Sequence, residues 1–234
     1  MRNSLAATAV VLALLLLQNA VLAAGPCVAD QHGGFVCGEG GQAVRALSET
    51  MSPSRTFAFA WHSSRGVSGK EFSPGDVEDI LIRLDDGQVL AKLGGNYWDT
   101  GQARANRYAT LAVWAADSRG VVEVANSRWD TDSFAYYAID GDSASKVDLR
   151  ALVDPAMRAR IPRNRRDSQS FRVREDLPLK LDSRGHLRFI AMLFVPKSED
   201  SFDFQLELGI TAKKGAAPLA RILSLKRIKL DPRL

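Results

Sequence analysis

Two copies of the tripeptide Trp-Asp-Thr are the strongest candidates for ligand contact in this chain. One copy, at 98–100, follows Gly94-Gly95-Asn96-Tyr97, and the other, at 129–131, precedes Asp132-Ser133. We expect both copies in loops, because the flanking residues are common turn formers. An exposed indole stacks on the apolar face of a sugar, and a neighbouring carboxylate accepts hydrogen bonds from the sugar hydroxyls. The candidate ligand-binding residues are therefore Tyr97, Trp98, Asp99, Trp129 and Asp130. The competing interpretation is structural, with each indole capping the core and each Asp-Thr pair closing a turn.

The aspartates of these tripeptides, Asp99 and Asp130, are also the carboxylates that a carbohydrate hydrolase of the cell envelope would use. A glycosidase needs two carboxyl groups at a defined separation, which sequence spacing does not fix. Other catalytic patterns are missing: there is no Gly-x-Ser-x-Gly, and the Ser-x-x-Lys match at 143–146 lies in a polar turn without companion motifs. We therefore expect a binding domain with no catalytic residues and no cofactor. The hydrolase is the alternative.

Neither the histidines nor the acidic turns predict a metal site. His32, His62 and His186 are the only histidines, and each stands alone in the sequence. The segments that start at Asp130 and Asp140 begin like a calcium loop but lack its later oxygen ligands and final glutamate. We expect these segments to form turns and to bind no metal.

Five arginines form the densest positive patch: Arg158, Arg160, Arg163, Arg165 and Arg166. Guanidinium groups bind phosphate and carboxylate groups in a bidentate manner. The run is therefore a candidate surface for an anion or an acidic partner. The nearby acids favour an ordinary solvated loop instead: Asp154, Asp167, Glu175 and Asp176.

The first 23 residues have the composition of a secretory signal peptide. Arg2 is followed by an apolar run from Leu5 to Leu17 and by small residues before a cleavage point after Ala23. Pro26 replaces the small residue that a lipoprotein signal needs before Cys27, so we expect no lipid anchor and no membrane span after cleavage. The mature chain is then periplasmic or secreted. Without Arg2, the 31 Lys+Arg fall to 30 against 27 Asp+Glu, a formal charge of +3, which gives no reason to expect a nucleic-acid partner.

The two cysteines, Cys27 and Cys37, predict an intramolecular disulfide. An exported chain reaches an oxidising compartment, where such pairs form. Gly33-Gly34 lies midway between them and supplies a hairpin turn that brings the two strands together. The spacing is too wide for a Cys-x-x-Cys redox centre, so the bridge is interpreted as a staple on the new N-terminus.

Beyond residue 50, apolar residues recur with a period of two, which is typical of β-strands. Asp85-Asp86-Gly87 between two alternating runs predicts a hairpin. Further strands are expected at 57–61, 108–114, 121–125, 134–139, 171–174, 187–194, 202–210 and 220–228. One helix is expected from about Asp148 to Arg160, kinked or split at Pro155. The fold class is all-β and antiparallel, with one short kinked helix.

A weak repeat divides the chain into three units of about four strands. Ser54-Arg55, Ser118-Arg119 and Ser183-Arg184 each open an alternating strand, and each is followed by a hairpin with a glycine in its turn. We expect a signal peptide at 1–23, a disulfide-stapled segment at 24–50 and a single all-β repeat domain at 51–234.

Two segments resemble the repeat of TolB-type β-propellers, whose blades carry a Trp-Ser-Pro-Asp-Gly-like turn and then a glycine hairpin. They are Trp114-Ala-Ala-Asp-Ser-Arg-Gly-Val-Val-Glu-Val and Ala138-Ile-Asp-Gly-Asp-Ser-Ala-Ser-Lys-Val-Asp-Leu, and Met51-Ser-Pro-Ser-Arg with the 80–90 hairpin resembles a second copy. The resemblance implies a scaffold for protein or ligand contact and no catalysis. A curved stack of sheets, a β-sandwich or a half-ring that forms a homodimer fits the same strands.

These observations favour a non-catalytic exported β domain that binds an envelope protein, a glycan or another cell-wall component. The carbohydrate-active hydrolase is the second hypothesis. A structural or stress-related role without a dedicated ligand is the third.

Overall fold

The computed structural model describes residues 25–30, 34–67, 72, 74–95, 109–167, 169–196 and 200–230. The strands are β1 Cys27–Ala29, β2 Phe35–Cys37, β3 Val44–Ala46, β4 Phe57–His62, β5 Glu78–Arg83, β6 Val89–Lys92, β7 Ala109–Trp114, β8 Gly120–Asn126, β9 Thr131–Asp140, β10 Ser143–Asp148, β11 Ser170–Val173, β12 Lys180–Leu181, β13 His186–Phe194, β14 Ser201–Thr211 and β15 Leu219–Ile228. The helix α1 spans Leu149–Arg158. In the part of the chain described here, no helix is long and apolar enough to cross a membrane.

The strands form three antiparallel sheets that follow one another along the chain. The first sheet has the order β1-β2-β3-β4-β5-β6, the second β10-β9-β8-β7, and the third β11-β13-β14-β15 with β12 beside β13. This arrangement confirms the predicted antiparallel all-β class with one short helix. The segment before residue 50 contributes β1, β2 and β3 to the first sheet, and the predicted bridge joins Cys27 to Cys37, which face each other across β1 and β2.

Each sheet contains a similar turn, before β4, β8 and β13 respectively. The residue that ends this turn has a positive φ in all three cases: Arg55 at 59°, Ser118 at 60° and Gly185 at 78°. The turns in the first two sheets close with Ser52 N–H to the Phe57 carbonyl and Ala115 N–H to the Gly120 carbonyl, each at 2.8 Å. The third closes one residue earlier, with Asp182 N–H to the His186 carbonyl at 3.0 Å. The predicted Ser-Arg pairs all lie at this turn but at different positions in it: the residue with positive φ is the arginine of the first pair, the serine of the second and the glycine after the third.

The sheets stack face to face, with the second sheet in the middle. Phe59 and Trp61 of the first sheet pack in one buried cluster with Val121 and Tyr137 of the second. The opposite face of the second sheet packs against the third sheet and α1, where the rings of Phe134 and Phe189 lie 4.9 Å apart. These two buried layers form most of the core.

The outer faces of the stack are closed in different ways. The first sheet curls, since Cys27 N–H reaches the Leu84 carbonyl at 3.4 Å, and the curl buries a third apolar cluster that includes Ala58 and Ile82. The third sheet instead presents charge: Arg188, whose side chain is 60% exposed, pairs with Glu207 at 2.9 Å. A charged outer face stops a further sheet from packing, as capping repeats do in repeat proteins.

Connections between strands lie at two ends of the stack. One end carries the short hairpin turns, which contact each other across the sheets. Arg83 Nη1 lies 2.8 Å from Asp142 Oδ1, Gly215 N–H donates to Asp140 Oδ2 at 2.9 Å, and Ser54 N–H donates to Ser118 Oγ at 3.0 Å. We call it the tight-turn end. The last residues of β4, β6, β8, β10 and β13 lie at the opposite end, which we call the loop end.

The helix α1 lies at the loop end and fills the space between the second and third sheets. Asp148 caps it by accepting a 2.9 Å hydrogen bond from Ala151 N–H, as an N-cap residue does. Leu149, Val153 and Met157 are buried in the core. The helix is continuous through Pro155, which has no N–H to donate to the carbonyl four residues earlier.

Candidate functional site

The turn that links β8 to β9 at the loop end carries the second Trp-Asp-Thr sequence. It comprises residues 127–130 and is closed by a hydrogen bond from Ser127 N–H to the Asp130 carbonyl at 2.8 Å. Trp129 lies near the middle of the turn and is half-buried, while Arg128 is exposed. The turn location agrees with the expectation of a loop for this copy.

Strand β11 of the third sheet fixes this turn from one side. Arg172 Nη1 donates to the carbonyls of Ser127 and Arg128, at 2.8 and 3.3 Å. The N–H of Val173 donates to Thr131 Oγ1 at 2.8 Å. Each bond joins two sheets, so the turn is held by contacts that a hairpin turn alone does not have.

Helix α1 fixes the same turn from the other side, through Asp130. Arg150 Nη2 lies 2.9 Å from Asp130 Oδ2, and Phe171 N–H donates to Asp130 Oδ1 at 3.2 Å. Both carboxylate oxygens of Asp130 are therefore engaged in contacts that join α1, β9 and β11. This is a structural arrangement, and it does not favour the alternative in which Asp130 acts as a catalytic carboxylate.

A buried amide extends the bracing of the turn. Asn126 is 2% exposed, and its Nδ2 donates to the Val173 carbonyl at 3.1 Å and to Glu175 Oε2 at 2.7 Å. The hydroxyl of Thr131 donates to Asn126 Oδ1 at 2.5 Å. Since a buried polar group left without a partner is costly, these bonds fix the end of β8 against the third sheet.

Trp129 carries a guanidinium group against its ring. The central carbon of the Arg128 guanidinium lies 4.8 Å from the Trp129 ring centroid. A cation at this distance is attracted to the electron-rich face of an indole. The pair presents an aromatic surface and a positive charge side by side at the loop end.

The other candidate residues, Tyr97, Trp98 and Asp99, lie outside the described residues. The chain leaves the described part after Gly95, which is in close contact with the second sheet, because a Cβ on Gly95 would lie 2.8 Å from Ala125 Cβ. Ala125 precedes Asn126 at the end of β8. A single site that includes both Trp-Asp-Thr sequences stays a prediction.

Glu123 anchors the chain just before these residues. It is fully buried, and its Oε1 accepts hydrogen bonds from Gly94 N–H at 3.0 Å and Gly95 N–H at 2.9 Å. Its Oε2 accepts hydrogen bonds from the hydroxyls of Ser133 and Tyr137, at 2.8 and 3.0 Å. Four donors converge on one buried carboxylate, which is the arrangement that an ionised side chain needs away from water.

This environment also changes the acidity of Tyr137. Burial of the phenol, followed by the negative charge of Glu123, raises the pKa of Tyr137 well above its ordinary value. Tyr137 therefore remains protonated and continues to donate to Glu123 at physiological pH. Burial raises the pKa of its neighbour Tyr136 as well.

The arginine run is split between structural and exposed members. Arg158 pairs with Asp154 at 2.5 Å and donates to the Gln169 carbonyl at 2.9 Å. Arg166 donates to the Ala159 and Ile161 carbonyls at 3.2 and 3.3 Å, and Arg165 lies 2.7 Å from Asp200. Arg160 and Arg163 are exposed and make no ion pair with the described residues. Only these two arginines fit the predicted anion or partner surface, which remains a prediction.

The Asp140 turn and two of the three histidines have ordinary partners, and His32 lies outside the described residues. Asp140 and Asp142 bond to the neighbouring hairpins at the tight-turn end, as described above. His62 lies 3.5 Å from Glu78, and His186 lies 3.2 Å from Glu207. Within the described ranges, no group of three or more His, Cys, Asp or Glu side chains could hold a metal ion.

Sequence reasoning missed four residues of this region: Glu123, Arg128, Arg150 and Arg172. Glu123 had a detectable signal, because it occupies the same side of its strand as Val121 and Ala125, in an otherwise apolar run. A charged residue at such a position indicates a buried polar network. Arg150 and Arg172 had none, since the turn residues that they contact are 19 to 45 residues away in the sequence.

No known protein family matches this sequence, and no curated protein is detectably related to it. The resemblance to TolB-type repeats therefore stays a prediction.

Proposed function

We propose that this protein is a non-catalytic, exported β domain that binds an envelope protein or a cell-wall component through its loop end. The observation that carries the proposal is the bracing of the 127–130 turn. Strand β11 and helix α1 both bond to a turn that carries a half-exposed indole and an exposed arginine. A rigid scaffold that holds a loop in one conformation reduces the entropy lost on binding.

The difference between the two ends supports the same proposal. At the tight-turn end, several polar groups are engaged in contacts between hairpins, as in the pair Arg83–Asp142. The loop end holds α1 together with Trp129, Arg160 and Arg163. The disulfide between Cys27 and Cys37 supports function in an oxidising compartment, in agreement with the signal-peptide composition.

Site-directed photo-cross-linking in the intact envelope tests this proposal. A benzophenone amino acid is introduced at Arg160 or Arg163 of the loop end, and at Arg119 or Arg184 of the tight-turn end as matched exposed controls. We expect a defined adduct, either with a protein or with peptidoglycan, from the loop end and none from the tight-turn end. The adduct should be lost when Trp129→Ala is added to the loop-end probe.

Equal adducts from both ends, or loop-end adducts that survive Trp129→Ala, would contradict binding through the 127–130 turn. Melting temperatures of all variants show whether the fold is retained. Incubation of the mature protein with purified peptidoglycan, followed by analysis of soluble sugars, should find no released fragments. Release of fragments would favour the hydrolase.

A further inference from the structure

Three guanidinium groups surround the 127–130 turn, and they differ in how their charge is balanced. Arg150 pairs with Asp130 at 2.9 Å, and Arg172 donates to Glu175 through its Nε at 3.3 Å. Arg128 is exposed, and within the described residues it has no carboxylate partner. Its positive charge is therefore the one around this turn that is left for a ligand.

We infer that Arg128 and Trp129 form a binding site for a sugar that carries a carboxylate group, as part of an acidic envelope glycan. This inference rests on the proposed function and names the ligand class of the same site. The indole covers the apolar face of the sugar ring. The planar guanidinium group of Arg128 accommodates the carboxylate through two parallel hydrogen bonds.

The main chain of this pair is already fixed before a ligand arrives. Arg172 Nη1 donates to the carbonyl of Arg128 itself and to that of Ser127, at 3.3 and 2.8 Å. Asp130, the next acid along the turn, is occupied by Arg150 and does not neutralise Arg128. Asp132 accepts a hydrogen bond from the Ser127 hydroxyl at 2.9 Å. The site therefore combines a fixed backbone with a cation that forms no ion pair among the described residues.

The guanidinium position also favours an acidic sugar over a neutral one. Arg128 lies over the Trp129 ring at 4.8 Å, so a neutral sugar that stacks on this face must displace the cation and lose its attraction to the ring. An acidic sugar offsets this loss, because its carboxylate pairs with the displaced guanidinium group. Asp130 contributes structure to this site and makes no contact with the sugar.

A pair of ligands that differ only in the carboxyl group tests the inference. The probes are a galacturonic acid oligosaccharide and its fully methyl-esterified form, titrated calorimetrically into the mature protein. We expect the acid form to bind and the ester to bind at least about tenfold more weakly, as for loss of a charge-assisted hydrogen-bonded pair. Affinity for the acid form should fall as the salt concentration rises.

Substitutions at the two residues separate the roles of charge and ring. Arg128→Gln should weaken binding of the acid form by about tenfold or more and strengthen any binding of the ester, which then has no cation to displace from the ring. Arg128→Lys should recover part of the affinity, since it keeps the charge and loses the planar group. Trp129→Ala should abolish binding of both forms. The matched control is Arg119→Gln, an exposed arginine of the tight-turn end, which should bind as the parent does.

The possible failures are distinguishable. Equal affinity for acid and ester, with loss of both in Trp129→Ala, would overturn the carboxylate assignment and leave the loop-end function standing. Absence of binding to either oligosaccharide would also overturn the carboxylate-sugar site. If the loop-end photo-cross-links then proved independent of Trp129, the proposed function would fail as well.

Discussion

The N–H of Gly95 donates a 2.9 Å hydrogen bond to Oε1 of Glu123, which joins the end of the first sheet to the middle of the second. Gly94 bonds to the same carboxylate group, and the chain beyond Gly95 leads to Trp98. The bond is buried. Glu123 therefore adds a polar link to the apolar packing between the first two sheets.

Glu123→Gln should destabilise the protein by about 2 to 4 kcal/mol, because an amide nitrogen would then face N–H or O–H donors in a dry site. Urea denaturation at pH 7 measures the change. The matched control is Glu49→Gln, since Glu49 is exposed, and it should change stability by less than about 0.5 kcal/mol. Equal small effects for both variants would show that the buried carboxylate contributes little.

The pKa of Tyr137 predicts a loss of stability in alkali. Its pKa is raised in the folded protein, so the folded state holds this proton more tightly than the unfolded chain does. Stability is unaffected below about pH 10, the ordinary pKa of tyrosine, and falls as the pH rises above it. Tyr137→Phe should cost about 1 to 3 kcal/mol at pH 7, because Glu123 loses a donor, and should make the alkaline loss smaller. Urea midpoints at pH 7 and in the alkaline range test both parts, and an unchanged alkaline slope would contradict the assignment.

Alanine substitutions at two glycines with a positive φ distinguish the cost of backbone strain from the cost of steric overlap. At Gly141, φ is 62° and a Cβ would meet nothing within 4 Å, whereas at Gly185, φ is 78° and a Cβ would lie 2.3 Å from the Ile210 carbonyl oxygen. Gly141→Ala should cost about 1 kcal/mol, the usual penalty for a left-handed alanine. Gly185→Ala should cost clearly more, because the backbone of β14 must also move. Thermal unfolding compares the two, and equal losses would mean that the overlap is relieved without cost.

The alternation of apolar residues was sufficient to predict the long strands and the fold class. Phe59 and Trp61, or Leu187 and Phe189, are buried on one side of their strands as a period of two requires. The period of two did not predict β1, β2 or β3, because each has three residues; β1 and β2 were expected only as a hairpin around Gly33-Gly34, and β3 was not predicted. Their position depends on pairing with β4 and on the disulfide.

The way the three sheets stack could not be predicted from the sequence, for a different reason. The third turn closes one residue earlier than the other two, and a shift of one residue moves every side chain of the following strand to the opposite face. Phe189 thereby faces the second sheet while Arg188 faces outward and ends the stack. The repeat spacing of 64 and 65 residues does not reveal this change, because it is measured from the Ser-Arg pair and not from the closing hydrogen bond.

The candidate site was predicted in its central residues but not in its support. Trp129 and Asp130 were selected for their chemistry, and the structure places them in a turn, as expected. The hydrogen bonds that hold this turn come from Arg150 in the helix and Arg172 in β11. The positions of these two arginines depend on how the second and third sheets pack. Local sequence carries no information about such contacts.

The disulfide between Cys27 and Cys37 should be formed and yet dispensable for folding. It closes a loop with a sequence separation of 10, which contributes about 3 kcal/mol in the chain-entropy model. Thiol titration of the denatured, unreduced protein should find no free thiol. The double variant Cys27→Ser with Cys37→Ser should fold with a lower melting temperature, and complete unfolding would mean that β1 and β2 contribute far more than the loop.

The last prediction concerns the two indoles of the Trp-Asp-Thr sequences, which we expect to act in one site. Trp98 comes three residues after Gly95, which lies against Ala125 of β8. The residue after Ala125 is Asn126, whose side chain bonds to β11 beside the Trp129 turn. Residues that contact one ligand have non-additive effects, whereas separate sites give additive ones. Trp98→Ala, Trp129→Ala and the double variant are therefore compared for binding to the envelope component found by cross-linking, with melting temperatures recorded beside the affinities. Each single change should cost about 2 kcal/mol of binding energy or more, as is common for a stacking indole, and the double change should cost less than the sum.

Additive losses at unchanged melting temperature would assign the indoles to separate sites. A large fall in melting temperature for both single variants, with no effect on binding, would return both indoles to a structural role.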